Sequence, residues 1–93
     1  MRTIPENVSE YSRTASFTCR SVPKGLLKNH STKDGVWGQL VVERGSILYT
    51  VTDPEDLGSY TLNQGDSGVI VPMQLHWVKP LSDDLLFHVV FLR

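Results

Sequence analysis

The sequence predicts an all-β domain, a single jelly-roll barrel. Short segments rich in β-branched and aromatic residues recur along the chain, and clusters of glycine, proline, aspartate and asparagine separate them. No segment has a sustained helical period. Short strands at this regular spacing are typical of a sandwich or a barrel, and we expect about eight of them.

Composition limits the class of protein. The 93 residues suffice for one domain, and 40% hydrophobic with 20% charged residues is typical of a globular protein. No apolar stretch reaches the roughly 20 residues of a transmembrane helix, and the N-terminus lacks the apolar core of a secretory signal. A single cysteine, Cys19, suits a reducing compartment. We therefore expect a cytoplasmic protein with no membrane partner.

The charge balance argues against nucleic-acid binding. The formal net charge is -1, and the lysines and arginines are scattered along the chain. A nucleic-acid-binding surface needs clustered positive charge to neutralise phosphates. Small molecules are the more plausible partners.

The N-terminal third is predicted to contribute little regular structure. Residues 1–12 are polar and aperiodic, so we expect an N-terminal arm, with the barrel domain at 13–93. Residues 13–21 alternate as a strand, with Phe17 and Cys19 facing inward. The turn-rich loop that follows carries His30.

The remaining chain is predicted to be a series of strands. Residues 36–44 form a strand with Trp37, Gln39 and Glu43 on one face, and Gly45 turns the chain into its hairpin partner. Further strands are predicted at 46–52, 58–62, 67–71, 76–79 and 85–92. The last strand is apolar on both faces, which indicates that both are covered, one by the core and the other by a second layer or by a second subunit in a homodimer.

One motif singles out His76 as the first functional candidate. Gly65-Asp66 opens an apolar run that ends at Pro72, and His76 follows four residues later. A turn, a buried strand, a bend and then a histidine is the layout with which barrel domains direct an imidazole into their interior. We therefore expect His76 to face the interior of the barrel.

A wider set of residues points to a family. The set comprises His30, Thr32-Lys33, Gly35, Trp37-Gly38, Gly45, Pro72, His76 and residues 81–84. Over roughly residues 16–91, the chain resembles the N-terminal domain of the TehB-type tellurite-resistance methyltransferases and the small stand-alone YeaR-like proteins. The resemblance implies a cupin-like barrel. Methyl transfer is not implied, because the chain has no glycine-rich cofactor loop.

The chain departs from the pattern of metal-loaded cupins. Their first motif supplies two histidines and a glutamate, whereas here it supplies only His30, with Gly38 about where the glutamate would fall. In the second motif, Val71 and Met73 replace the usual proline and glycine, which alters the turn before His76. A full set of metal ligands is therefore missing.

Two interpretations of the histidines remain open. His30 and His76 can together bind a divalent transition metal such as zinc, iron or nickel, with a third ligand from His88, Glu43 or Gln39. Alternatively, His76 bonds a neighbouring strand or a small polar ligand, His30 caps a loop, and His88 is a hydrogen-bonded core histidine.

Three hypotheses for function follow. The first is a binding module for a small anion or a metal-associated metabolite, in a pocket lined by His30, Trp37, Gln39, His76 and His88. Protonated His76 and nearby Lys33 supply its positive charge. The second is a metal-dependent enzyme of the hydrolase or oxygenase type. The third is a ligand-free regulatory or dimerisation module.

Overall fold

The computed structural model describes residues 1–93 as two antiparallel β-sheets with one short 3-10 helix at Lys24–Leu27. The all-β prediction is therefore confirmed. In chain order the strands are β1 Glu10–Arg13, β2 Phe17–Thr18, β3 Trp37–Arg44, β4 Ser46–Val51, β5 Gly58–Asn63, β6 Ser67–Ile70, β7 His76–Pro80 and β8 Leu86–Leu92.

The two sheets are separate in their hydrogen bonding. The larger has the order β1-β8-β3-β6, with β2 also paired to β8, and the smaller has the order β5-β4-β7. No strand pairing joins one sheet to the other, so the predicted closed barrel is corrected to two antiparallel sheets. Closure requires a continuous ladder of strand pairs. Here the larger sheet ends at β6 on one edge and at β1 and β2 on the other, and the smaller sheet ends at β5 and β7.

The core lies between these sheets, as the alternation along the strands requires. Leu40 and Val42 face inward from β3 and are 1% exposed, while Ile47 and Tyr49 from β4 are completely buried. Phe87 faces them from β8 and is also completely buried. The predicted alternation of β3 is confirmed, but the inward face is the one with Leu40 and Val42. Trp37 and Gln39, which were expected to line the interior pocket, lie on the opposite face with Val41 and Glu43.

The N-terminal region is more ordered than the sequence suggests. Strand β1 begins at Glu10, inside the predicted arm, and pairs with β8. Near the start of the chain, Arg2 Nη2 lies 2.8 Å from a carboxylate oxygen of Asp56. The single strand predicted over residues 13–21 is wrong, because only Arg13 and Phe17–Thr18 in this range lie in strands, and the chain turns after Thr18. The backbone turns there, with Thr18 N donating to Ser21 Oγ at 2.8 Å.

Strand β8 is the central element of the larger sheet. It pairs with β1, β2 and β3, and its Phe87 and Val89 face the core. Val90 on the other face is also buried, at 5% exposure. The homodimer suggested by this two-sided apolar strand stays a prediction, which a measured molecular mass in solution will test. No helix in the structure is long and apolar enough to cross a bilayer.

Candidate functional site

His30 and His76 lie side by side, although 46 positions separate them in the sequence. They form an isolated antiparallel bridge, in which each backbone N–H donates to the other residue's carbonyl at 3.0 Å. The two imidazole rings are consequently in edge contact, with their centroids 4.1 Å apart and their planes at 62°. The bridge attaches the loop that carries His30 to the beginning of β7.

Both rings are held in the same tautomer. Nδ1 of His30 lies 2.8 Å from the carbonyl oxygen of Lys28, and Nδ1 of His76 lies 2.9 Å from the carbonyl oxygen of Gln74. A carbonyl oxygen can only accept, so Nδ1 carries the hydrogen in each ring. When the rings are neutral, each Nε2 is left with a lone pair that can accept a hydrogen bond or bind a metal.

His76 is neutral at physiological pH. Its side chain is 2% exposed, and burial lowers the pKa of its imidazole to about 4, with His30 adding to the decrease. The hydrogen bond to the Gln74 carbonyl opposes the shift without cancelling it. The expectation that His76 supplies a positive charge to the site is therefore wrong.

A cavity of about 530 Å³ opens beside the two rings. Its wall includes His30 and His76, together with segments from the N-terminal strands, the 3-10 helix and the inner face of β8. Six apolar side chains make up much of this wall: Phe17, Leu26, Val36, Ile70, Val89 and Phe91. The wall of the cavity therefore combines the two imidazoles and several serine and threonine residues with a group of apolar side chains.

The charges around this cavity have one sign. Lys33 and Arg93 line it, and both are exposed. Neither takes part in an ion pair, and Arg93 places its guanidinium 4.0 Å above the centre of the Tyr11 ring. None of the ten aspartates and glutamates lines the cavity. The charged side chains that line the cavity are therefore both cationic, in a protein whose net charge is -1.

The predicted site residues fall into two groups. His30, His76 and Lys33 all line the cavity. Trp37, Gln39 and His88 lie outside it, because they project from the outer face of the larger sheet, so the predicted pocket is corrected in these three residues. On that face, Nδ1 of His88 lies 3.0 Å from a carboxylate oxygen of Glu43.

A complete metal site does not form around the imidazole pair. No group of three or more histidine, cysteine, aspartate or glutamate side chains is close enough to hold a metal ion. Zinc–nitrogen bonds of about 2.0–2.1 Å in tetrahedral geometry put two ligating rings about 5 Å apart between centroids. Since the rings are 4.1 Å apart, they would have to separate to bind one ion. The residues present do not fit a resident metal.

Several residues that line the cavity could not be recognised from the sequence pattern that singled out the histidines. Phe91 and Arg93 reach it from the end of β8, and Tyr11 reaches it from β1. Phe91 could have been found from alternation, because it shares the inner face of β8 with Phe87 and Val89. Tyr11 could not, since its position depends on the pairing of β1 with β8.

Comparison with known proteins identifies the family. A family model described as a TehB-like domain matches residues 12–89. This chain belongs to the TehB-like domain family. A probable S-adenosyl-L-methionine-dependent methyltransferase TehB from Haemophilus influenzae (strain 10810) is 32% identical over 78 residues, which are 81% of this chain and 27% of that protein. The protein of the same name from strain ATCC 51907 / DSM 11121 / KW20 / Rd is 31% identical over the same length.

Solved structures share the fold of this TehB-like domain. The crystal structure of TehB from Haemophilus influenzae superposes with a TM-score of 0.83 at 24% identity, covering 94% of this chain and 32% of that one. A protein from Escherichia coli (strain K12) superposes with a TM-score of 0.88, also at 24% identity, covering 100% of this chain and 97% of that one. The TehB-like domain thus spans about a quarter of its curated relatives, and the second structure is of nearly the same extent.

Proposed function

We propose that this TehB-like domain is a binding module for a small anion, which it holds in the cavity beside His30 and His76. The observation that carries the proposal is the distribution of charge. Two of the nine lysines and arginines line the cavity, and none of the ten acidic residues does. An anion there meets two cationic side chains that take part in no ion pair, and no acidic side chain.

Lys33 is the residue that we expect to contribute most to the charge interaction. Its ammonium has no carboxylate partner, so an arriving anion need not displace one. Arg93 is already stacked on Tyr11, which fixes its guanidinium near the opening and leaves its N–H groups available to an anion. The tellurite, selenite and nitrite oxyanions are the first ligands to test, because of the resemblance to tellurite-resistance proteins.

Calorimetric titration of the whole chain with these oxyanions tests the proposal. Lys33→Met removes the charge and keeps the length of the side chain, and we expect it to weaken binding about five- to tenfold, the effect of losing one charge-assisted contact. Lys79→Met is the matched control, because Lys79 is an exposed lysine of β7 that does not line the cavity. Equal affinities of the two variants, or no binding of any anion to the wild type, would overturn the proposal.

The alternative function is that of a metal-dependent enzyme, and the same purified protein can be used to test it. Elemental analysis of protein purified without an affinity tag measures bound iron, nickel and zinc. Stoichiometric metal that is lost in His76→Ala would support this alternative over the anion-binding module. Two imidazoles provide one protein ligand fewer than catalytic zinc sites have, so we expect substoichiometric metal.

A further inference from the structure

The cavity is too large for an inorganic oxyanion alone. Its volume is about 530 Å³. Since one water molecule occupies about 30 Å³ of liquid, an anion of four or five heavy atoms fills only about a quarter of this space. Volumes of about 300–1,000 Å³ are characteristic of sites for organic ligands, which bury most of their surface.

The wall of the cavity favours a ligand with an apolar body. Phe17 and Leu26 lie on one part of the wall, and Val89 and Phe91 contribute from β8. Phe17 and Leu26 also pack against the core cluster, so their position is fixed by the fold. An inorganic anion would leave these side chains in contact with water, whereas an aliphatic or aromatic group would cover them.

The two imidazoles favour a ligand that has a hydrogen-bond donor. Their Nδ1–H groups are occupied by the carbonyl oxygens of Lys28 and Gln74, so the lone pairs on Nε2 remain. A carboxylate or another fully ionised anion offers only acceptors to these atoms. A hydroxyl group offers a donor. The site thus presents cations at its exposed edge, through Lys33 and Arg93, and an acceptor at the buried His76.

We propose that the ligand is an organic carboxylate with an apolar body and a hydroxyl group at the end opposite the carboxylate. The carboxylate lies near Lys33 and Arg93, the body covers the apolar wall, and the hydroxyl donates to Nε2 of His76. This assignment rests on the proposed function, because it specifies which class of anion occupies the same cavity.

Four probes test the assignment by calorimetric titration of the wild-type chain: 3-(4-hydroxyphenyl)propionate, 3-phenylpropionate, acetate and tellurite. Burial of a phenyl group should make 3-phenylpropionate bind at least about tenfold tighter than acetate or tellurite. The hydroxyl should add a further factor of about two to ten, the usual effect of one hydrogen bond.

Two substitutions of His76 separate the hydroxyl contact from the rest of the site. In His76→Asn, the side-chain amide replaces Nδ1–H and nothing replaces Nε2, so the two aromatic acids should bind equally. In His76→Gln, the amide reaches the position of Nε2 and should keep a preference for the hydroxylated acid. Because a buried residue is changed, thermal unfolding must first show that each variant is folded.

A measurement on the wild type makes the test independent of those variants. Two-dimensional proton–nitrogen spectra of the imidazoles report the tautomer and any hydrogen bond at Nε2. We expect the resonance of Nε2 of His76 to shift on addition of 3-(4-hydroxyphenyl)propionate and to shift less with 3-phenylpropionate. Equal shifts, or equal affinities of the two acids, would overturn the hydroxyl assignment.

The outcomes also distinguish this inference from the proposed function. If tellurite or acetate binds as tightly as the aromatic acids, and Lys33→Met weakens that binding, the domain is an anion-binding module and the organic carboxylate is wrong. If no probe binds, both proposals fail. Tighter binding of the hydroxylated acid, lost in His76→Asn and kept in His76→Gln, would support both.

Discussion

His30 and His76 exchange both of their backbone hydrogen bonds, with N···O distances of 3.0 Å in each direction. The exchange fixes a residue of an irregular loop to the first residue of β7. It also brings the rings into edge contact, so the conformation of one ring restricts that of the other. The geometry of the cavity beside them therefore depends on backbone bonds, and a side-chain substitution at either position need not destroy it.

The burial of His76 predicts a pH-dependent stability. Its pKa is about 4 in the folded protein and about 6.5 when unfolded, so the unfolded state binds the proton first as the pH falls. The contribution is fully present above pH 6.5 and is lost between pH 6.5 and pH 4. We expect the free energy of unfolding to decrease by about 3 kcal/mol across this window. Urea denaturation at a series of pH values measures it.

His76→Gln is the matched control for this effect, because glutamine does not titrate. Its free energy of unfolding should change less between pH 6.5 and pH 5 than that of the wild type. The stability contributed by carboxylates whose pKa values are lowered, among them Glu10 and Asp56, is lost mainly as the pH falls below their ordinary values of 4.5 and 3.8. Parallel pH profiles of the variant and the wild type would contradict the assignment to His76.

The turn between β3 and β4 predicts a large difference between two glycine substitutions. Gly45 has φ of +73°, and a Cβ there would lie 2.7 Å from Asp84 Oδ1 and 2.9 Å from the backbone Cα of Leu85. Gly65 has φ of +88°, but nothing lies within 4 Å of its Cβ position. Gly65→Ala should cost about 1–2 kcal/mol for the left-handed backbone. Gly45→Ala should cost more, by about 1–3 kcal/mol for the steric overlap.

Chemical denaturation of the two alanine variants measures this difference. Both substitutions introduce the same side chain at a left-handed position, so the backbone term is common to them. If Gly65→Ala destabilises the protein as much as Gly45→Ala, the contacts of the Gly45 turn with residues 84 and 85 are not the cause.

Much of the fold could be predicted from the sequence because its strands have a clear period of two. The alternation of β3 correctly assigned Trp37, Gln39 and Glu43 to one face. Alternation defines two faces of a strand but does not show which of them borders a cavity. For this reason Trp37 and Gln39 were predicted to line the pocket, although they lie on the outer face of the sheet. The number of sheets depends on which strand edges pair, which is a long-range property that no local pattern reports.

The candidate site was predictable in part. Turn residues before His76 indicated an inward-facing imidazole, and the resemblance to a family added His30 and Lys33. The contribution of Arg93 follows from the register of β8 against its neighbours, which the sequence does not specify. The neutrality of His76 follows from burial, which depends on every element packed around it.

A hydrogen bond between the two sheets predicts a measurable contribution to stability. The hydroxyl of Tyr49, on β4, donates to the carbonyl oxygen of Val69, on β6, at 2.9 Å. Tyr49 is completely buried, and burial raises the pKa of its phenol. Tyr49→Phe should destabilise the protein by about 1–2 kcal/mol, because the carbonyl loses a buried partner.

Tyr60→Phe is the control for Tyr49→Phe. The ring centre of Tyr60 lies 6.2 Å from that of Tyr49, but its residue is only partly buried and its hydroxyl makes no hydrogen bond within the protein. We expect no more than about 0.5 kcal/mol of change. Equal effects of the two substitutions in thermal or urea unfolding would show that the bond to Val69 contributes nothing specific.

The outer face of the larger sheet carries a polar cluster whose carboxylate should titrate at unusually low pH. Glu43 Oε2 accepts hydrogen bonds from Ser16 Oγ at 2.6 Å and from His88 Nδ1 at 3.0 Å. The bond from Ser16 has the larger effect, and that from His88 the next largest, in lowering the pKa of Glu43 below 4.5. Ser16→Ala should therefore raise the pKa of Glu43 more than His88→Asn does. Carbon-detected titration of the side-chain carboxyl groups measures the pKa of Glu43 in both variants. Asp56 provides an internal reference, because its pKa is lowered by Arg2 and Gln74, which neither substitution changes. A pKa of Glu43 that does not move in Ser16→Ala would show that the short bond is absent in solution. If the bond is present, the stability that Glu43 contributes above pH 4.5 will be lost as the pH falls through its lowered pKa.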